Sequence, residues 1–157
     1  MKHAERALEL SASGSSCSQS VFAAFAPDFG MDEELAHRIA AGMGGGFGRK
    51  QYLCGAISGA ALVLGLAYGN SDGADAAAKD ATYSRVHAFI SEMEAEFGAS
   101  DCRALLQGND TNTPAGREAV KRDGLTLKVC RPLIARAAEK LEALLATEIP
   151  GKGNSGS

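Results

Sequence analysis

The sequence predicts an all-α protein, a compact single-domain bundle of five to seven helices around a buried central helix at about residues 54–68. Apolar residues recur at helical intervals in five segments, and no stretch alternates apolar and polar residues as a half-buried strand does. The longest apolar run, residues 53–69, is apolar on nearly every side. We therefore expect residues 54–68 to form the most buried helix.

The first two segments carry clear helix boundaries. Ser16 and Gln19 have the spacing of a capping box, and apolar residues then recur at helical intervals until Gly30. The next segment, residues 31–43, begins with acidic residues, which the helix dipole favours in a first turn. Its apolar face is predicted from residues four positions apart: Leu35, Ile39 and Met43.

Three further segments follow the central run. Residues 75–97 predict a long surface helix with one apolar stripe: Val86, Phe89, Ile90, Met93 and Phe97. A short helix is expected after Ser100, and residues 107–116 have the composition of a loop. The last helix is predicted to start near Pro132, a residue suited to the first helical position. Its apolar residues are Leu133, Ala137, Leu141 and Leu144.

Size and charge limit the possible function classes. The chain has 157 residues, which suits one domain, and we place this domain at residues 1–150 with a disordered or vector-derived tail at residues 151–157. The net charge is -3 and the basic residues are scattered, so the chain lacks the positive patch that nucleic-acid binding requires. Nucleic acid is therefore not an expected partner.

Hydropathy favours a cytoplasmic protein. Residues 53–69 fall short of the roughly 20 apolar residues that cross a bilayer, so we expect no membrane span. The amino terminus lacks the continuous apolar core of a secretory signal. Glycine-rich and apolar surfaces are compatible with a homo-oligomer, although no heptad pattern argues for one.

Four cysteines are the main candidates for chemistry: Cys17, Cys54, Cys102 and Cys130. No two of them have the close spacing of zinc ribbons or ferredoxins, so they can form one site only through the tertiary fold. Each lies at or near a predicted helix start, where free N–H groups and the helix dipole favour a thiolate. Thiolates attack disulfides and bind metals, whereas a cysteine buried among apolar groups is inert.

The glycine-rich stretch at residues 42–48 is the second feature of interest. It lacks the dinucleotide and P-loop fingerprints, so it predicts a sharp turn with free N–H groups beside Cys54. Arg49 and Lys50 add positive charge, which favours a Cys54 thiolate or an anionic partner such as glutathione or a sulfur oxyanion. The predicted supporting residues are Gly44, Gly45, Gly46, Gly55, Gly59, Arg49 and Lys50.

The cysteine pattern resembles a family of redox-active proteins named for Cys…Cys-Gly-Ala-x-x-Gly…Cys…Cys. The chain has Cys17, then Cys-Gly-Ala-Ile-Ser-Gly at residues 54–59, then Cys102 and Cys130. The stretches "SVFAAF", "AAGMGGGFG" and "GAALVLGLAYG" are also similar to the family, and the resemblance covers roughly residues 5–145. It implies redox activity through the four cysteines and no particular substrate.

Three hypotheses follow from these residues. In the first, the cysteines converge and exchange with disulfides, with Cys54 as the attacking sulfur and Cys17, Cys102 or Cys130 as the resolving one. This chemistry requires no cofactor and acts on a redox partner or a small thiol or sulfur compound. In the second, the same four cysteines bind an iron–sulfur cluster or another metal ion in an electron carrier or sensor. In the third, the domain is structural and the cysteines are inert.

Overall fold

Helices form the structure, a computed structural model that describes residues 2–148. In chain order they are α1 Lys2–Ala12, α2 Cys17–Phe25, α3 Glu33–Ala40, α4 Gly44–Phe47, α5 Gly55–Tyr68, α6 Ala76–Phe97, α7 Cys102–Leu105, α8 Pro114–Arg122 and α9 Arg131–Glu148. Seven of these have eight residues or more, which agrees with the predicted five to seven helices. No strand lies within residues 2–148, so the predicted all-α class is confirmed. The predicted tail lies outside the described residues.

The centre of the fold is shared by α5 and α2. Residues 55–60 of α5 are buried, as are Val63 and Leu64, so the predicted central helix is confirmed. In α2, however, seven of nine residues are buried, compared with eight of fourteen in α5. The prediction that residues 54–68 form the most buried helix is therefore wrong. The reason is that α2 packs against α1, α3 and α5, whereas the end of α5 exposes Leu66.

α2 begins at the capping box that the sequence predicts. The Ser16 hydroxyl accepts a hydrogen bond from the Gln19 amide at 3.4 Å, and the Gln19 side chain accepts one from the Ser16 amide at 3.0 Å. These bonds satisfy N–H groups that a helix start leaves unpaired. The 3-10 turn Ala26–Phe29 follows α2 and ends at Gly30, whose φ of 82° is left-handed. The cap makes Cys17 the first residue of α2.

α3 is a helix as predicted, but a different face meets the core. The predicted apolar residues Leu35 and Ile39 are each 44% exposed, whereas Ala36 and Ala40 are buried. Small side chains allow α3 to lie close to α2, where the Ser18 hydroxyl donates to the Ala40 carbonyl at 3.0 Å. A leucine stripe and an alanine stripe have the same helical period, so periodicity does not distinguish them. The predicted apolar face of α3 is therefore wrong.

The stripes predicted for the two longest helices pack on the core. Phe89 and Met93 of α6 are buried, and α6 packs against α5. Leu133, Ala137 and Leu141 of α9 are buried, and α9 packs against α1 and α5. Across residues 2–148, none of the helices combines the length and the apolar character that crossing a membrane requires.

The predicted loop at residues 107–116 is shorter than expected. α8 begins at Pro114, after Thr113, whose hydroxyl accepts a hydrogen bond from the Gly116 amide at 3.0 Å. A capping threonine followed by proline is a typical helix start, but the polar composition around it resembles a loop. The loop that remains brings Thr111 to the cysteine site.

Candidate functional site

The four cysteines line one cavity of about 260 Å³. Cys17 and Cys102 are the first residues of α2 and α7, whereas Cys54 and Cys130 immediately precede α5 and α9. All four are free thiols. Four apolar side chains also line the cavity: Leu105, Leu106, Val129 and Leu133. The fold thus assembles in one place four thiols that are widely separated in the chain.

Cys17 and Cys130 form a hydrogen-bonded pair. The bond from the Cys17 thiol lowers the pKa of Cys130 below its ordinary value, although burial acts in the opposite direction. The same bond, together with burial, raises the pKa of Cys17 well above its ordinary value. A thiol that donates to a neighbouring sulfur favours the thiolate on that sulfur, so Cys130 ionises more readily than Cys17. A thiolate that forms on Cys130 therefore has the Cys17 thiol beside it.

A short antiparallel backbone bridge between Leu53 and Asp101 holds Cys54 and Cys102 near each other. The Cys54 amide donates to the Ser100 carbonyl at 2.8 Å, and the Cys102 amide donates to the Tyr52 carbonyl at 2.7 Å. Successive residues along such a bridge point to opposite faces. Cys54 and Cys102 each follow a bridged residue, so both thiols point to the same face and line the cavity. The bridge also holds the start of α7 against the start of α5.

Burial acts against the predicted thiolate at Cys54. Cys54 is 5% exposed, and burial raises its pKa to about 12. The Ala56 and Ile57 amides lower the pKa, as expected at a helix start, but they do not offset the loss of hydration. Burial is also the main cause that raises the pKa of Cys102 to about 11. Both thiols are therefore protonated at neutral pH.

All four cysteines lie at or next to helix starts as predicted, but the backbone at Cys130 is already helical. Cys17 and Cys102 begin α2 and α7, and Cys54 is the N-cap residue of α5. Cys130 ends the π-turn Thr126–Cys130, whose helical backbone continues without a break into α9. The lowered pKa of Cys130 thus comes from its contact with Cys17 and not from the free N–H groups of a helix end.

The glycine-rich stretch forms the sharp turn that its composition predicts. Gly45 and Gly46 have φ values of 67° and 65°, and left-handed values continue for the next three residues. A Cβ atom on Gly46 would lie 2.9 Å from the Cβ of Cys102, so glycine allows the turn to lie directly on this cysteine. The amides that act on the Cys54 sulfur belong to α5 and not to this turn, contrary to the prediction.

The other predicted glycines allow close packing around α2. A Cβ atom on Gly55 would lie 3.0 Å from the Cβ of Cys17, and one on Gly59 would lie 2.7 Å from the Ser18 carbonyl oxygen. Gly44 lies equally close to the cap of α2. These glycines therefore support the site by permitting the approach of backbone segments, without contributing a reactive group.

Gln51 is a buried residue of the site that the sequence did not reveal. Its side-chain oxygen accepts hydrogen bonds from the Arg103 side chain at 2.9 Å and the Thr111 amide at 3.1 Å. Its side-chain nitrogen donates to the Asn109 carbonyl at 2.8 Å. A hydrogen bond from Gln51 also lowers the pKa of Cys102, against the larger effect of burial. No local pattern marks a glutamine as buried, because its partners come from a distant segment.

The positive charges of the site differ from the prediction. Arg49 and Lys50 are both exposed, but only Arg49 lines the cavity. A second lining arginine, Arg117, comes from α8, a helix that the sequence pattern did not predict. The cavity therefore has two arginines and not an arginine–lysine pair.

In the reduced protein we expect iodoacetamide to modify Cys130 before Cys54 and Cys102. The thiolate is the reactive form, so the rate at Cys130 should rise with a midpoint below the ordinary thiol value of 9.0. Cys54 and Cys102, with pKa values of about 12 and about 11, should stay nearly unmodified through that range. Pulse labelling from about pH 6 to about pH 10, read by peptide mass spectrometry, measures the four rates. Faster modification of Cys54 than of Cys130 would contradict the assignment.

Comparison with known protein families matches residues 15–144 to the family described as "Putative redox-active protein (C_GCAxxG_C_C)". The match includes all four cysteines and every residue that lines their cavity. The family name writes Gly before Cys, whereas this chain has Cys54 before Gly55. No curated protein and no solved structure matches the chain significantly.

Proposed function

The chain belongs to the redox-active C_GCAxxG_C_C family, and on this basis we propose that it is a thiol–disulfide oxidoreductase with Cys130 as the attacking sulfur. The observation that carries the proposal is that Cys17 and Cys130 line the same cavity and act on each other's pKa. This interaction favours a thiolate at Cys130 and places a second sulfur beside it. Exchange with a disulfide requires both an attacking thiolate and a resolving thiol.

The proposed reaction has two exchange steps. The Cys130 thiolate attacks one sulfur of the substrate disulfide, forms a mixed disulfide and releases the other substrate sulfur as a thiolate, which takes the Cys17 proton. The Cys17 thiolate then attacks the Cys130 sulfur, closes a Cys17–Cys130 disulfide and releases the second substrate thiolate, which takes a proton from solvent. The substrate disulfide gains two electrons and the protein dithiol loses two. A dithiol reductant from outside the protein restores the reduced pair.

The proposed chemistry suits a reducing compartment. The reactive state is the reduced pair, and glutathione and thioredoxin keep thiols reduced in the cytoplasm. Disulfides that form there are usually transient and catalytic. We therefore place the protein in the cytoplasm, with a dithiol reductant and a small disulfide as its redox partners.

The alternative is an iron–sulfur cluster or another metal ion bound by the same four cysteines. Four thiols around one cavity have the donor chemistry of such centres. In the part of the chain that the structure describes, however, no three His, Cys, Asp or Glu side chains are arranged to hold one metal ion. Disulfide exchange needs only the Cys17–Cys130 contact, so the geometry favours exchange.

Reaction of the anaerobically purified protein with bis(hydroxyethyl) disulfide tests the proposal. We expect two thiols to be lost for each disulfide reduced, and non-reducing peptide mass spectrometry to find Cys17 linked to Cys130. Assays of iron, acid-labile sulfide and zinc on the same preparation, with an absorbance spectrum, test the alternative. A stoichiometric cluster, or oxidation that leaves Cys17 and Cys130 unlinked, would overturn the proposal.

A further inference from the structure

The charged residues that line the cysteine cavity are all positive. Arg49 enters the lining from the glycine-rich turn and Arg117 enters it from α8, and the described lining residues include no Asp or Glu. The whole chain has a net charge of -3, so composition alone does not account for this concentration of positive charge. Cavities with walls of low polarity and charge of one sign attract ligands of the opposite sign.

Neither arginine is neutralised by a carboxylate of the described chain. The nearby Arg103 shows the contrast, because it pairs with Asp110 at 3.4 Å. Arg117 donates to the Thr111 carbonyl at 2.9 Å and has further N–H groups, and Arg49 has no ion-pair partner within residues 2–148. A guanidinium group binds a carboxylate through two parallel hydrogen bonds. Both arginines are therefore available to an anionic ligand.

From these groups we infer that the substrate is a small disulfide that carries a carboxylate. The inference rests on the proposed function and names the chemical class of its substrate. Arg49 and Arg117 bind the carboxylate groups, and the Cys17–Cys130 pair faces the disulfide. The cavity volume of about 260 Å³ is below the roughly 300 to 1,000 Å³ of sites for drug-sized ligands. The site therefore suits a small molecule.

The same charges assist the exchange itself. When the Cys130 thiolate attacks, one substrate sulfur leaves as a thiolate, and nearby positive groups stabilise that developing charge. They also reduce the repulsion between the Cys130 thiolate and an anionic substrate. Atoms and electrons balance as before, because one substrate disulfide becomes two thiols and the Cys17–Cys130 disulfide forms.

Three linear disulfides of similar length and different charge test the inference: dithiodipropionate, bis(hydroxyethyl) disulfide and cystamine. They carry two negative charges, no charge and two positive charges. Each rate with the protein is divided by the rate of the same disulfide with a neutral small thiol. This ratio corrects for differences in intrinsic reactivity among the three disulfides. At low ionic strength we expect the dianion to react at least about tenfold faster than the dication, and we expect added salt to reduce the difference.

Variants that each remove one positive charge test whether Arg49 and Arg117 cause the preference for an anionic disulfide. Arg49→Gln and Arg117→Gln are each expected to reduce the normalised rate of dithiodipropionate by about three- to tenfold, with a smaller effect on bis(hydroxyethyl) disulfide. Lys50→Gln and Lys121→Gln are the matched controls, because they remove the same charge beside Arg49 and on α8 without touching the cavity lining. Both controls should keep the wild-type preference.

The outcomes separate the inference from the function on which it rests. Equal normalised rates for the three disulfides, a preference for cystamine, or arginine variants that match their lysine controls would overturn the inference while disulfide exchange stands. Failure of all three disulfides to oxidise the Cys17–Cys130 pair would overturn the proposed function, and the inference with it.

Discussion

Serine in place of Cys130 is expected to reduce the rate of disulfide reduction by at least about a thousandfold. A serine hydroxyl is not ionised at neutral pH, so the variant lacks the thiolate that the Cys17 hydrogen bond favours. Cys54→Ser is the matched control, because it makes the same change in the same cavity at a thiol with a pKa of about 12. We expect this control to stay within about threefold of the wild-type rate.

Turnover of bis(hydroxyethyl) disulfide with an external reductant measures both variants, and circular dichroism shows whether each is folded. Cys17→Ser tests the second step in the same assay. Without a resolving thiol, a mixed disulfide should accumulate on Cys130. The mass of the intact protein should then increase by the mass of one half of the substrate disulfide. An active Cys130→Ser protein together with an inactive Cys54→Ser protein would instead identify Cys54 as the attacking sulfur.

Alanine in place of Gly59 is expected to reduce the free energy of unfolding by about 3 kcal/mol. The new Cβ atom would lie 2.7 Å from the Ser18 carbonyl oxygen and 3.2 Å from the Val21 Cβ, both in α2. A backbone carbonyl has no rotamer that moves it aside, so α5 and α2 must separate along a buried contact. Because Ser18 follows Cys17, the displacement should also weaken the Cys17–Cys130 contact in the folded molecules.

Gly65→Ala is the matched control for Gly59→Ala. It makes the same substitution in the same helix, but no atom lies within 4 Å of its new Cβ. Alanine favours helix over glycine, so this variant should gain about 1 kcal/mol of stability. Urea unfolding of both variants and the wild type gives the ranking. Equal stability of the two variants would show that α5 and α2 are not closely packed at Gly59.

Helix starts and buried helix faces were predictable where one local pattern acted alone. The Ser16–Gln19 capping box and the stripe that includes Phe89 and Met93 both depend on residues within a few turns of each other. The predictions failed where two local patterns competed. In α3 the leucine and alanine stripes have the same period, and before α8 the capping Thr113 stands in a stretch with the composition of a loop.

The order of residues was sufficient to identify the candidate reactive groups and the family pattern, because cysteine identity and motif spacing are properties of the chain itself. It did not identify which thiol ionises. A thiol pKa depends on how much water reaches the sulfur and on which donor touches it, and both are set by residues far away in the chain. Packing removes water from Cys54 and raises its pKa to about 12. The same packing brings Cys17 to Cys130, and that contact lowers the pKa of Cys130.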